Sequence, residues 1–300
     1  MTKRGVSLAL MVLVWAGYYL ASKYLVGLTG SPYLTGMLLR ASALVIYTLI
    51  LLISGGLSEL VKIKRVWHIL LIIGVLGFAL DLFANIGFKY SSASTGTALL
   101  KLDVLMTNVT SAIIFHKRLK LTDWLFTAVM LSGVIMTLDI DIKTLRFNYY
   151  DLFFVLSAAA VTANAFIIKY AQSKYNVPSD TIGYYNNFIA LTLFTAAVII
   201  SGDGLRGLID YKISGIIVLG GLMQCLIYIF YYYNLKRREV WIVKIILLLV
   251  PVVTALFSVM FLDEKLNLIK CAGIIAVLGG AVGILINKKE KLNENHNRLG

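Results

Sequence analysis

Ten apolar runs of about 20 residues follow one another along the chain, separated by charged, glycine- or proline-containing breaks. They fall at roughly 6–26, 34–54, 67–88, 96–115, 123–138, 151–170, 181–201, 213–235, 242–261 and 268–286. A hydrocarbon core about 30 Å thick is crossed by about 20 helical residues. Each run therefore predicts a membrane-spanning helix, and the fold class expected is an all-α polytopic membrane protein with ten transmembrane helices. With 59% hydrophobic and only 14% charged residues, a soluble chain of 300 residues could not cover its apolar surface.

The net charge of +13 raises nucleic acid as a partner until its placement is examined. Lys3, Arg4, Lys62, Lys64, Arg65, Lys117, Arg118, Lys120, Lys174, Lys236, Arg237, Arg238, Lys288, Lys289, Lys291 and Arg298 all fall on one side of the expected bilayer. The opposite loops hold only Lys89, Lys143, Arg146, Arg206, Lys212 and Lys265. Basic residues gather on the cytoplasmic side of membrane proteins, so both termini are expected in the cytoplasm, in an inner or plasma membrane, with no nucleic-acid partner. The first run is too long for a cleavable signal and is expected to stay as the first helix.

Cys225 and Cys271 lie inside expected helices without a CxxC or histidine partner, which predicts small core residues, no disulfide and no metal. His68, His116 and His296 stand at loops or helix ends, and no HExxH, GxSxG or phosphate-binding loop is present. Neither an enzyme nor a cofactor is expected.

The chain repeats itself. A shift of 146 residues carries Lys23, Tyr24 and Pro32 onto Lys169, Tyr170 and Pro178. At 147, Lys89, Thr107, Ser111, Leu119, Leu131, Gly133 and Leu138 fall on Lys236, Thr254, Ser258, Leu266, Leu278, Gly280 and Leu285. The expected domains are a first five-helix repeat over 1–140, a second over 141–287 and a basic cytoplasmic tail over 288–300. Five is odd, so the second copy enters the bilayer from the opposite side. Inverted repeats are the arrangement of alternating-access transporters, with solute bound near the midplane between the copies.

The stretch "LLLVPVVTALFSVMFLDEKLNLIKCAGIIAVLGGAVGIL", with Pro251, Glu264, Gly273 and Gly279–Gly280, and "WAGYYLASKY" with Pro32 and Arg40, resemble the EamA family of the drug/metabolite transporter superfamily. The first copy departs from that pattern, with Val104 in place of the proline and Lys117 in place of the glutamate. The resemblance implies a central cavity lined by helices one, three, four, six, eight and nine, with five and ten peripheral. Gly273, Gly279, Gly280 and Gly283 give the last helix a face for close packing or for a homodimer.

Ionisable groups at membrane depth are costly and normally face an interior cavity or a partner. Only Asp81 and Asp103, among the acidic residues, fall well inside expected helices. Each lies about 10 Å below the outer surface on consecutive antiparallel helices, within reach of the other. Lys101 shares that depth but not the helical face of Asp103, and a Lys101–Asp81 ion pair tying helices three and four is the plain structural alternative. Asn85 extends the polar stripe of Asp81. Arg40 could clamp an anion or neutralise one of the carboxylates, whereas Lys23, Lys169 and Lys244 read as snorkelling residues. Tyr18 on helix one, Asn164 on helix six, and Gln224 with Tyr228 on helix eight supply polar and aromatic walls, and Tyr231–Tyr233 read as an interfacial belt. The candidate substrate-binding residues are thus Tyr18, Arg40, Asp81, Asn85, Lys101, Asp103, Asn164, Gln224 and Tyr228.

The function expected is secondary-active transport of a small polar metabolite, an amino acid or cationic amine, with protons as a coupling partner through paired carboxylates. The alternatives are exchange of an anionic or zwitterionic solute held by Arg40 and Lys101, and a non-transporting membrane scaffold.

Overall fold

The computed structural model describes residues 3–60, 65–114, 121–137, 148–203, 211–237 and 240–297, and those residues are helical apart from short connections. The helices are α1 (Lys3–Thr29), α2 (Pro32–Ser54), the short α3 (Leu57–Leu60), α4 (Trp67–Tyr90), α5 (Ala93–Leu99), α6 (Leu102–Ile114) and α7 (Leu121–Thr137). The second half holds α8 (Leu152–Lys174), α9 (Ser179–Ser201), α10 (Tyr211–Arg237), α11 (Val240–Leu247), α12 (Leu249–Phe261) and α13 (Leu268–Asn297). Among the described residues six helices, α1, α2, α4, α8, α9 and α10, are long and apolar enough to cross a membrane by themselves.

The fourth and ninth expected spans are each two helices. The first breaks at Leu100–Lys101, the second at Leu248, and a shift of 147 residues carries Lys101 onto Leu248. In the second half Pro251 has no N–H to give to the Leu247 carbonyl, which suits a fresh first turn at Leu249. In the first half Val104 stands at that place, and the break is made by tighter turns: Lys101 N donates to Ala98 O (3.0 Å), Asp103 N to Leu100 O (3.1 Å) and Val104 N to Lys101 O (3.0 Å).

Contacts repeat with the sequence. Gly36 lies under Phe194 and Gly183 under Tyr47; Gly74 under Ile189 and Gly221 under Ser42. A shift of 147 exchanges the members of each pair of contacts, and reciprocal contacts of this kind require a two-fold relation between the halves. The helix ends follow: α2 and α9 both stop at a glycine in the left-handed region, Gly55 (φ 71°) and Gly202 (φ 70°), where a side chain would be strained. Around the central helices α7 and α13 pack on each other at the periphery. Gly133 abuts Val277 N and Gly273 O, while Gly280 abuts Met130 N and Phe126 O, so these glycines serve packing within the chain.

Lys23 and Lys169 are tied down instead of snorkelling. Lys23 Nζ donates to Phe88 O (2.6 Å) and Ser91 O (2.7 Å), at the C-terminal end of α4. Lys169 Nζ donates to Leu235 O (2.9 Å), at the equivalent end of α10. The last carbonyls of a helix have no partner within it, and an ammonium supplies both the donor and the charge that the helix dipole favours there.

Candidate solute-binding cavity

At the centre, four helices meet on one guanidinium. Arg40 of α2 donates from Nε to Asp81 Oδ2 (2.8 Å), with Nη2 at 2.5 Å from the same oxygen, and from Nη2 to Gly77 O (3.0 Å), both on α4. Its Nη1 donates to Asn186 Oδ1 (3.3 Å) and Asn187 Oδ1 (3.5 Å) of α9 and to the hydroxyl of Tyr228 on α10. Arg40 and Asp81 are 1% and 2% exposed, so the charges are held by each other and by these bonds, not by water. In the repeat register Arg40 corresponds to Asn186 or Asn187, and Asp81 to Tyr228.

Beside this knot lies a cavity of about 50 Å³. Its walls are Trp15, Tyr18 and Tyr19 of α1, Arg40 of α2, Leu80 and Asp81 of α4, Asn164 and Ile168 of α8, Asn186 of α9, and Gln224, Ile227, Tyr228, Tyr231 and Tyr232 of α10. The Trp15 ring meets that of Tyr231 edge-on at 4.9 Å, and Asn186 Nδ2 holds Tyr232 OH at 2.7 Å. Gln224 Nε2 donates to Tyr228 OH (2.9 Å), whereas Gln224 Oε1 and Asn164 Oδ1 are buried without a hydrogen-bond partner. Tyr18 OH lies beside Asp81 but makes no hydrogen bond of good geometry. Buried polar atoms without partners are rare in native proteins, and three among the residues lining one cavity mark a place for a ligand or water. The volume holds a few waters, so a metabolite enters only after the helices part.

Both ends of the bundle are tied. At the C-terminal end of α1, Ser22 Oγ donates to Asn85 Oδ1 (2.5 Å) and Asn85 Nδ2 to Pro32 O (3.3 Å). Nearby, Glu264 accepts from Ala93 N (2.5 Å), Ser94 N (3.3 Å) and Ser94 Oγ (2.9 Å) at the start of α5. At the other end Gln172 Nε2 donates to Tyr232 O (3.3 Å) and Tyr47 OH to Asp180 Oδ1 (3.1 Å). Lys117, the first-half counterpart of Glu264, lies outside the described residues.

Of the residues singled out from sequence, Tyr18, Arg40, Asp81, Asn164, Gln224 and Tyr228 come together on this cavity. Asn85 sits in the tie at one end. Asp103 and Lys101 lie apart from it, and the carboxylates do not pair with each other or with Lys101. Asp81 takes Arg40; Asp103 takes Lys244, whose ammonium is 1% exposed and ion-paired with Asp103 Oδ2 rather than snorkelling. Tyr231 and Tyr232 are buried cavity walls, and only Tyr233 of that run is exposed, under Arg237. Among the described residues, the fourth and ninth expected spans, α5–α6 and α11–α12, contribute no wall to this cavity, while α2 and α9 contribute Arg40 and Asn186. Asn186 could have been sought beside Asn187, which the 147-residue shift places on Arg40.

The EamA-like transporter family model matches residues 3–139 and, a second time, residues 148–286. The chain belongs to the EamA-like transporter family. A relative in Archaeoglobus fulgidus, described as an uncharacterized transporter, is 25% identical over 299 residues, which is 96% of this chain and 100% of the relative. A solved crystal structure that is 15% identical superposes with a TM-score of 0.69 over 97% of this chain and 99% of that one, which establishes a shared fold. As an EamA chain with several apolar helices, the protein is a membrane transporter by family.

Proposed function

We propose that the protein carries a small zwitterionic metabolite, of amino-acid type, across the cell membrane by alternating access. The two repeats insert in opposite senses, give ten crossings and leave both termini in the cytoplasm. The observation that carries the reading is the cavity beside the Arg40–Asp81 pair, where Asn164 Oδ1, Gln224 Oε1 and Tyr18 OH are buried without a hydrogen-bond partner.

A bare cationic amine needs a free negative group, and both central carboxylates are already held by cations. A zwitterion needs less. Its carboxylate matches the guanidinium, which binds carboxylates in two-pronged fashion, and its ammonium matches the unbonded oxygens and the faces of Trp15, Tyr19 and Tyr231. Side chains larger than alanine require the aromatic wall to retreat, which ties binding to the movement that opens one end.

The test is counterflow of labelled amino acids, quaternary amines and sugar phosphates into liposomes bearing the purified protein. An amino acid exchanged by the wild type and not by Asn164→Leu supports the reading. Exchange of quaternary amines alone, or no exchange of any solute, overturns it.

A further inference from the structure

Lys101 is 5% exposed, and its ammonium makes no hydrogen bond and no ion pair among the described residues. It stands in the turn that breaks α5 from α6, two residues before Asp103 and within the electrostatic reach of Asp103 and of Lys244 from the other half. Asp103 Oδ2 is taken by Lys244, across 141 residues of sequence, while Asp103 Oδ1 is buried without a partner. Two lysines therefore bear on one carboxylate, Lys244 in an ion pair with it and Lys101 without one among the described residues. Among the described residues, Tyr19 of α1 and Tyr231 of α10 also lie in the field of Asp103; α8 contributes the Thr162 hydroxyl, which donates to Asp103 O (3.2 Å), and α12 carries no charged residue.

An unpaired charge at membrane depth persists where it works. We propose that Lys101 carries the coupling proton of the transport cycle, at a site separate from the solute cavity, by competing with Lys244 for Asp103. The inference rests on the transport reading above. As the amine, Lys101 leaves Asp103 to Lys244, and the bond between the halves stays closed. On gaining one proton it becomes an ammonium that takes the vacant Asp103 Oδ1 from within its own half, which frees Lys244 and lets the halves move. Loss of that proton on the other side restores the Lys244 pair. One proton is gained and one released per cycle, and no bond other than N–H is made or broken.

The position of the break supports this role. Both interrupted helices bend at equivalent places, and the Asp103–Lys244 pair joins the first turn of α6 to α11. A bond between two hinge segments is where a single charge has most leverage on the rocking of one repeat against the other.

The experiment uses full-length protein in liposomes with a labelled amino-acid mixture and entrapped pyranine. Counterflow at equal pH reports exchange; accumulation driven by a pH gradient, with the matching pyranine signal, reports coupling. For Lys101→Met, and for Lys101→Arg, whose guanidinium does not give up its proton, the ratio of gradient-driven accumulation to exchange falls at least roughly tenfold. Wild-type exchange that ignores the gradient, or variants that accumulate solute as the wild type does, overturns the assignment of Lys101 and leaves the transport reading standing. Absence of exchange in the wild type overturns the transport reading itself.

Discussion

Arg40 hydrogen-bonds the residue that stands in its own place in the other half of the chain. Its Nη1 donates to Asn187 Oδ1 (3.5 Å), and Asn187 Nδ2 returns a bond to the Arg40 carbonyl (2.9 Å). A residue meets its repeat mate only on the axis that relates the repeats. Asp81 and Tyr228, also equivalent under the 147-residue shift, both bind the same guanidinium. Two genetically equivalent positions have thus diverged into a charged half, Arg40 and Asp81, and a neutral one, Asn187 and Tyr228, so the cavity beside them has one arginine and one aspartate rather than a symmetric pair of charges.

Removing one partner of the Arg40–Asp81 pair strands the other without water. Arg40→Ala or Asp81→Ala is expected to cost about 3–5 kcal/mol, and Arg40→Met combined with Asp81→Leu far less than the two losses added. Thermal or denaturant unfolding in detergent measures all three. Strict additivity would show that the two residues do not act as a unit.

Adjacent glycines on α13 separate packing from propensity. Gly279 faces open space, so Gly279→Ala is expected to stabilise by about 0.5–1 kcal/mol through helix propensity alone. At Gly280 a Cβ would sit 2.6 Å from Met130 N and 2.7 Å from Phe126 O, backbone atoms that cannot swing aside. Gly280→Ala is expected to destabilise by about 1–3 kcal/mol. Unfolding midpoints of opposite sign, relative to wild type, are the result to look for.

What could be read in the sequence was whatever the repeat or a long apolar run carries. The ends of α2 and α9 and the lysine pair Lys23–Lys169 follow from the shift, and six of the nine named site residues reach the cavity. The pairing of charges was not legible, because depth along a helix says nothing of which neighbour turns toward it. Arg40 reaches Asp81 from an adjacent span, but Lys244 reaches Asp103 from the far half. An uninterrupted helix would leave Lys244 near a bilayer surface, and the break at Leu248 is signalled only by Pro251. Tyr231 and Tyr232 misled for a related reason: tyrosines near a helix end suit an interfacial belt and a cavity wall equally until the neighbouring helices are placed.

Lys23 and Lys169 cap helix ends on opposite sides of the bundle. Lys23→Met or Lys169→Met removes a charge-assisted donor from the end carbonyls of α4 or α10, with an expected cost of about 1–3 kcal/mol each. The two lysines hold carbonyls on different helices, α4 and α10, so the double variant should lose the sum to within about 0.5 kcal/mol. Denaturant titration of the three variants decides it; a double loss much smaller than the sum would mean that the two ends communicate.

Glu264 closes one end without a described counterpart at the other. Its two oxygens accept two backbone N–H groups and one hydroxyl at the start of α5, where the helix dipole also favours a negative charge. Glu264→Gln keeps the shape but loses the charge and one acceptor, with an expected cost of about 1–2 kcal/mol. Because Lys23 lies in the field of this carboxylate at the same end, the loss also loosens the α1–α4 tie. In a chain with Cys225 and Cys271 replaced by alanine, a cysteine introduced by Asn164→Cys should then react faster with a membrane-impermeant thiol reagent added on the Glu264 side, and no faster from the opposite side. Equal acceleration from both sides would mean that Glu264 holds the fold as a whole and not one gate.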